Sequence, residues 1–407
     1  LLDHRQALLS KGTYDWLVKR ANAIRIKFKG EVKLKQFKYI GRSSATYASG
    51  QSAISKNVFL LNSLGAYGGK GGKVILRDVM RFSTAGGDTA DSIAYIENYD
   101  SVKIKRDCTL SYTREDYARI AFGSFKTNYT YTFDPKKITY NGNTSPGISW
   151  RQMGFKKKWE VGDMGIQRAQ SMLKIIDAGR IPIFYWYLAG RPKTMKTIEA
   201  VQKVVERKPM GRAIWVCDFE ESLLCKPILD ELEHKLLNGN PFITRVMVGV
   251  NKYAQGDVLK KWADQYPMVG SLDYSKFDVR MPPTVIRMAF DVLKFVLGDD
   301  PMTNKVLNTI EYNFINSRVV LPNGEIYQND YGIPSGSGMT SIIGSLCNLI
   351  MLTDILKPLE NDPRSAPVNF IVYGDDSLIG FTQEESFQVK AVNLNQGDGT
   401  FRNGSTP

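Results

Sequence analysis

Three segments carry side chains whose types and spacing bear on chemistry. The first is Met268-Val-Gly-Ser-Leu-Asp273-Tyr-Ser-Lys-Phe-Asp278, where a short apolar run delivers Asp273 at its end. A turn follows, and Pro282-Pro283 then opens a helical run to Leu297. Asp273 and Asp278 stand five residues apart across the turn, so both can face one cavity from different depths. A strand-end Asp is also a common cap or turn residue, so this pair decides nothing alone. The second segment is Val368-Asn-Phe-Ile-Val-Tyr-Gly374-Asp375-Asp376-Ser377-Leu-Ile-Gly-Phe. Two apolar, β-rich runs flank Gly-Asp-Asp, which predicts a buried hairpin with two acids at its tip. Adjacent carboxylates repel, and cations offset the repulsion. Hard divalent ions with oxygen ligands fit, since two histidines and four cysteines supply too few soft donors.

The third segment is Gly332-Ile-Pro-Ser335-Gly336-Ser337-Gly338-Met-Thr340-Ser341-Ile-Ile-Gly-Ser345-Leu-Cys-Asn348. A Gly/Ser loop opens an apolar helix, and such a loop offers backbone N–H groups and close approach to a sugar or phosphate. Thr340, Gly344 and Asn348 recur every four residues, along one helical face. A serine-capped helix would explain Ser335 or Ser337 but not the whole polar set.

Asp-x4-Asp, then Pro-Ser-Gly-Ser-x-x-Thr with a following Asn, then Gly-Asp-Asp, in that order, resembles palm motifs A, B and C of viral RNA-dependent RNA polymerases. The Asp-Tyr-Ser-Lys-Phe-Asp and Gly-Ile-Pro-Ser-Gly-Ser spellings look most like double-stranded RNA viruses of the partitivirus and picobirnavirus type. The separations agree: 62 residues from Asp273 to Ser335 and 40 from Ser335 to Asp375. The resemblance covers roughly 191–380, and it implies a basic fingertip motif F upstream of motif A. Arg191-Pro-Lys193 and Arg207-Lys208-Pro-Met-Gly-Arg212 stand there.

The resemblance implies attack by a primer 3′-hydroxyl on the α-phosphate of a nucleoside triphosphate, assisted by two Mg²⁺, with Mn²⁺ as an alternative. Asp273 and Asp375 become the principal metal ligands and catalytic residues, with Asp376 supporting them. Lys208, Arg212, Arg191 and Lys193 neutralise the triphosphate. Asp278 accepts from the ribose 2′-hydroxyl, directly or through Asn348 or Thr340. Ser335 and Gly336 flex and touch template or nucleotide. The implied partners are template and product RNA, nucleoside triphosphates and a viral capsid protein; the implied location is a virion interior or the host cytoplasm.

These motifs need a scaffold, and composition bounds it. The chain has 407 residues, 43% hydrophobic and 23% charged, which excludes wholesale disorder. Its net charge is +13, and residues 1–60 hold twelve basic against three acidic side chains. That excess points to a polyanionic partner. Residues 25–39 alternate apolar and basic at period two, the pattern of a strand with one positive face. Lys27, Lys29, Lys33 and Lys35 on it either follow an RNA backbone or protect a solvated sheet edge. Gly65–Gly72 is one residue short of a phosphate-binding loop and reads as a loop. Residues 108–140 read as strands and turns; 165–178, 195–207 and 222–237 read as helices. The stretch Ser341–Leu356 is interrupted by Ser345, Asn348 and Asp354, so no run reaches membrane-spanning length.

The expected fold class is α+β: a right-hand polymerase with fingers and a palm of antiparallel sheet and helices, the thumb missing. The expected domains are a basic segment over 1–60 leading into fingers, and fingers over 61–265 with motif F near 191–215. A palm follows over 266–382, with a fingers-side helical insertion near 298–330, and a truncated, loop-like tail over 383–407. The chain starts at Leu1 and only 31 residues follow Asp376, so it is expected to be a piece of a longer protein. Two other readings stand beside this one. An inert RNA-binding fragment would rely on charge alone, and a DNA-synthesising palm enzyme is disfavoured by Asp278, where an aromatic steric gate is usual.

Overall fold

The computed structural model describes most of residues 82–381 (without 103, 105–106, 124–125, 238–239 and 361–368), parts of 16–55, and the backbone of 399–403. Its strands are β1 (Lys38–Arg42), β2 (Ile54–Ser55), β3 (Phe82–Ala85), β4 (Tyr185–Arg191), β5 (Lys193–Lys196) and β6 (Arg212–Cys217). They continue with β7 (Met268–Tyr274), β8 (Arg318–Val320), β9 (Glu325–Gln328), β10 (Asn369–Tyr373), β11 (Asp376–Phe381) and β12 (Gly399–Asn403). Two compact units divide the chain: residues 1–102, 186–216 and 319–328 form one, and 103–185, 217–318 and 329–407 the other. Residues 319–328, expected within a fingers-side insertion, cluster with the N-terminal residues.

The first unit holds a five-stranded sheet in the order β1-β9-β8-β4-β6 and a three-stranded sheet β2-β3-β5. The small sheet packs Ile54, Ala85 and Met195 against Ala200 and Val204 of the helix Thr197–Val205. The helix Thr89–Asp100 begins where the Asp88 carboxylate accepts the Asp91 N–H, satisfying a helix-start donor.

The second unit carries an antiparallel sheet in the order β10-β11-β7-β12. The helix Pro283–Leu297 buries Ile286, Phe290, Leu293 and Val296 at helical spacing. It packs on the helices Arg114–Phe122, Pro301–Ile315 and Thr340–Glu360, and Phe290 meets Phe314 edge-on at 5.6 Å. Pro283 and Pro301 each sit in a first turn, where the missing N–H costs nothing.

The expected helices at 165–178, 195–207 and 222–237 are present as Gly162–Asp177, Thr197–Val205 and Phe219–Lys235. The segment 108–140 departs from expectation. Arg114–Phe122 is a helix, because Thr113 and Asp116 form a reciprocal capping box that outweighs the β-prone composition. The rest is irregular chain tied by bonds such as Thr127 N–H to the Val296 carbonyl at 2.7 Å. The tail is also corrected in part: 399–403 is β12, paired with β7 from Gly399↔Tyr274 to Asn403↔Gly270. Residues 382–398, like the glycine-rich 65–72, lie outside the described residues.

The helix Phe219–Lys235 starts with acids at Glu220 and Glu221, a placement its dipole favours. Glu220 is fully buried; Oε1 accepts the Trp150 indole N–H at 2.8 Å and lies 3.5 Å from Arg168, while Oε2 has no hydrogen-bond partner. Burial pushes its carboxyl up to about 7 from an ordinary 4.5, with Arg168 only partly opposing. A raised carboxyl binds its proton more tightly folded than unfolded, so its contribution to stability falls as pH rises from 4.5 through 7. Glu220→Gln should therefore gain on the native chain by about 1–3 kcal/mol between pH 5 and pH 8. Urea unfolding at both pH values measures it; an equal difference at the two would reject a titrating Glu220.

Candidate active site

The acids of the second and first sequence segments meet on one sheet. The two-residue loop Gly374-Asp375 joins β10 to β11, with Tyr373 paired to Asp376. Gly374 has a φ of 60° at the first loop position, the place where the II′ hairpin turn calls for glycine. On the other side β11 pairs with β7, Ser377 opposite Leu272 and Leu378 opposite Ser271. Ser377 and Leu272 are buried, whereas Leu378 and Ser271 are exposed. One step further along this register, Asp376 stands across from Asp273, and both are exposed. Residues directly opposite share a face, with Cβ atoms about 5 Å apart, and like charges so placed repel. Asp375, also exposed, is the neighbouring loop residue.

The hairpin strands are buried as expected, but its acidic tip is open to solvent. All three carboxylates offer only oxygen donors, the set a hard divalent cation takes. Among the described residues no three His, Cys, Asp or Glu side chains are already gathered as a metal cage.

The helix Thr340–Glu360 fixes the hairpin from inside. The Gly374 N–H donates to Ser345 Oγ at 2.7 Å. Asn348 Nδ2 donates to the Gly374 carbonyl at 3.0 Å and the Asp376 carbonyl at 3.2 Å. Asn348, expected as one of two partners through which Asp278 meets the ribose, is fully buried, and its amide donors go to the hairpin backbone. A helical period identifies a shared face but not what that face meets. Gly344 does lie on it, with room for a Cβ 3.9 Å from Gly374 Cα.

Asp278 lies in the short helix Phe277–Arg280, entered through Lys276 in the left-handed region at φ 57°. Its carbonyl accepts the Ile333 N–H at 2.7 Å, which ties it to the start of the Gly/Ser loop. In that loop Ser335 is half-buried and Gly336 exposed, and the Thr340 hydroxyl donates to the Pro334 carbonyl at 2.8 Å. These bonds tie Asp278 to Ile333 and Thr340 to Pro334, the two residues that precede Ser335 and Gly336 in the loop.

The basic candidates belong to the other unit. Arg191 ends β4, Lys193 begins β5 and Arg212 begins β6, all exposed. Gly211 approaches so closely that a Cβ there would lie 2.5 Å from the Arg191 carbonyl oxygen, so the two arginine-bearing strands touch. Lys208 is bound to Glu206 at 2.8 Å. Lys27, Lys29 and Lys33 lie outside the described residues. Lys35 is exposed in a bend just before β1, its N–H donating to Asp100 at 2.6 Å.

Two further positions escape sequence reasoning. Asp91 is buried and accepts the N–H groups of Gly87, Met210 and Gly211 at 3.1, 2.7 and 3.0 Å, holding the backbone that precedes Arg212. Glu221 is buried beside Ser337 and Gly338. A carboxylate in a helical first turn reads as an ordinary dipole partner; only its distant partners reveal more.

The profile of the family described as viral RNA-dependent RNA polymerase matches residues 78–396. The feline calicivirus (strain Japanese F4) genome polyprotein is 24% identical over 255 residues, covering 60% of this chain and 14% of that polyprotein. The human hepatitis A virus genotype IIB genome polyprotein is 30% identical over 208 residues, 49% of this chain and 9% of that one. The chain thus spans about a seventh or less of the length of these relatives. Among solved structures, the Sicinivirus 3Dpol RNA dependent RNA polymerase superposes with a TM-score of 0.63 at 17% identity, over 92% of this chain and 79% of that one. These relatives are positive-strand viruses and give no support to the expected likeness to double-stranded RNA viruses. That likeness rested on the spellings of the segments at 273–278 and 332–337.

Asn348→Ala should destabilise the protein by about 2–3 kcal/mol, since two buried carbonyls lose their donor. Asn348→Asp should cost more, by setting a carboxylate against them. Denaturant melts of both variants check this, and an Asp variant no worse than Ala would reject the assignment.

Proposed function

The chain belongs to the viral RNA-dependent RNA polymerase family, and on that premise we propose that it carries the nucleotidyl-transfer centre for template-directed RNA synthesis. The observation that carries this reading is the strand register that sets Asp376 across from Asp273, with Asp375 in the loop between β10 and β11. Like-charged, exposed and oxygen-only, this set fits two Mg²⁺ or Mn²⁺ ions held by Asp273 and Asp375 with support from Asp376. Such ions, when bound, make the primer 3′-hydroxyl a better nucleophile and stabilise the charge on the leaving pyrophosphate.

The chain's own side chains do the rest. Arg191, Lys193, Lys208 and Arg212 offer cations to the triphosphate, and phosphoryl transfer depends chiefly on such positioning and neutralisation. Lys208 must exchange Glu206 for phosphate to take part. The Asp278 carboxylate accepts the 2′-hydroxyl of an incoming ribonucleotide, with Thr340 nearby; a deoxyribonucleotide leaves it without that donor. Ser335 and Gly336 meet the nucleotide or template. Template pairing reads sequence, and the basic N-terminal residues hold RNA backbone in a salt-dependent way. The genome-polyprotein relatives support a place of work in the host cytoplasm and give the capsid partner no support.

Primer extension on a short RNA template with Mg²⁺ tests the proposal. Ribonucleotides should be incorporated, and Asp375→Ala or Asp273→Ala should abolish incorporation while leaving RNA binding intact. Undiminished extension by Asp375→Ala would overturn the assignment, and RNA binding without extension in the native chain would favour a binding module. Asp278→Ala should lower the preference for ribo- over deoxyribonucleotides by about tenfold or more, the worth of one polar contact.

A further inference from the structure

The loop that opens the helix Thr340–Glu360 is anchored differently at its two ends. At its start stand the bond from Ile333 to the Asp278 carbonyl and the bond from Thr340 to the Pro334 carbonyl. At its far end the bonds converge on one carboxylate. Glu221 is 1% exposed; Oε1 accepts the Ser337 hydroxyl and, at 3.4 Å, the Cys225 thiol, while Oε2 accepts the Gly338 N–H at 3.1 Å. Ser337 Oγ in turn accepts the Met339 N–H at 3.0 Å, which carries the anchor into the first helical turn. Gly338 is seated so tightly that a Cβ would lie 2.9 Å from Cys225 Cβ. Between the two anchors only Ser335 and Gly336 remain in contact with solvent.

A carboxylate taken out of water needs compensation, and an apolar side chain would fill the same space without that cost. Glu221 receives two charge-assisted hydrogen bonds from the loop. Lys158, held to Ser222 Oγ at 3.2 Å and above the Phe219 ring at 5.0 Å, supplies the nearby positive charge. What the buried acid provides, and an apolar residue would not, is a fixed attachment for Ser337 and Gly338.

We infer that Glu221 is a positioning residue for the incoming nucleotide: it pins Ser337-Gly338 and so confines movement of the loop to Ser335-Gly336. The inference rests on the polymerase reading above. A two-residue mobile element has little freedom to lose when a nucleotide orders it, whereas a released loop must be ordered over a longer stretch. That ordering cost is met on binding, so it raises KM and leaves kcat nearly alone.

Glu221→Gln keeps the shape but replaces one acceptor oxygen with a donor amide; Ser337→Ala keeps the buried acid and its bond to Gly338. Each should raise the ribonucleotide KM by about tenfold, with kcat and RNA affinity little changed. The double variant should be no worse than the worse single one, since both act through one contact. In the nucleotide-free full chain, amide hydrogen exchange across 335–339 should speed up in both variants, while β7 exchanges as before. Unchanged KM and unchanged exchange in a folded variant overturn the inference, as do fully additive effects on KM. If Glu221→Gln fails to fold, Ser337→Ala decides by the same readouts. If the native chain makes no RNA, the polymerase reading fails separately, and exchange across 335–339 still decides whether Glu221 anchors the loop.

Discussion

A two-residue hairpin that must show two adjacent acids to solvent has a backbone problem at its base. Its N–H and C=O groups sit against a buried helix and need partners there, because an unpaired buried polar group costs about 1–3 kcal/mol. Ser345 and Asn348 supply them: one hydroxyl accepts the Gly374 N–H, and one amide serves the carbonyls on both sides of Asp375. Residues 342–350 of that helix are buried and otherwise apolar, and the two polar side chains among them, Ser345 and Asn348, both bond the hairpin. Everything else in the sheet is arranged around that clasp. With β11 fixed, its register with β7 is fixed, and a slip of one residue would turn Asp273 into the core.

The acids of this chain do two physically different jobs. Asp273, Asp375 and Asp376 are exposed, and their side chains stand at a strand pairing and its turn, open to solvent. Asp91 and Glu221 are buried and spend their lone pairs on backbone N–H groups and a hydroxyl, organising chain that lies about 120 residues away in sequence. Burial drives the Glu221 carboxyl upward, and its hydrogen bonds and Lys158 pull the other way. Carboxylates thus stand open at the surface in one place and act as rivets in the interior in another.

The hairpin that carries the exposed acids was legible in the sequence, and the partners of the buried acids were not. Strand-loop-strand alternation around Gly374-Asp375-Asp376 fixes which residues face out, and three ordered segments constrain one another. Asp91 looks like any acid in a helical first turn, because the glycines it binds are remote. Asn348 shows the limit of periodicity: its helical face is legible, yet a period cannot tell a cavity from a packed hairpin. At 108–140 aromatic and β-branched residues argued for strands, and a local capping box at Thr113 and Asp116 prevailed over them. Lineage was the least legible property of all, since motif spellings are set by chemistry that many viral polymerases share.

Close backbone packing completes the logic in the first unit. A Cβ on Gly190 would lie 2.1 Å from Gly87 Cα, and one on Gly86 would lie 2.4 Å from the Gly211 nitrogen. Glycine at these positions lets three chain segments touch, and Asp91 then satisfies the N–H groups that such contact leaves facing inward. The consequence is that the Arg191 and Arg212 backbones are in contact before any ligand arrives. In the second unit the opposed Asp273 and Asp376 are unfavourable without a cation, so there the fold holds apart from neutrality a pair that a ligand of opposite sign would complete.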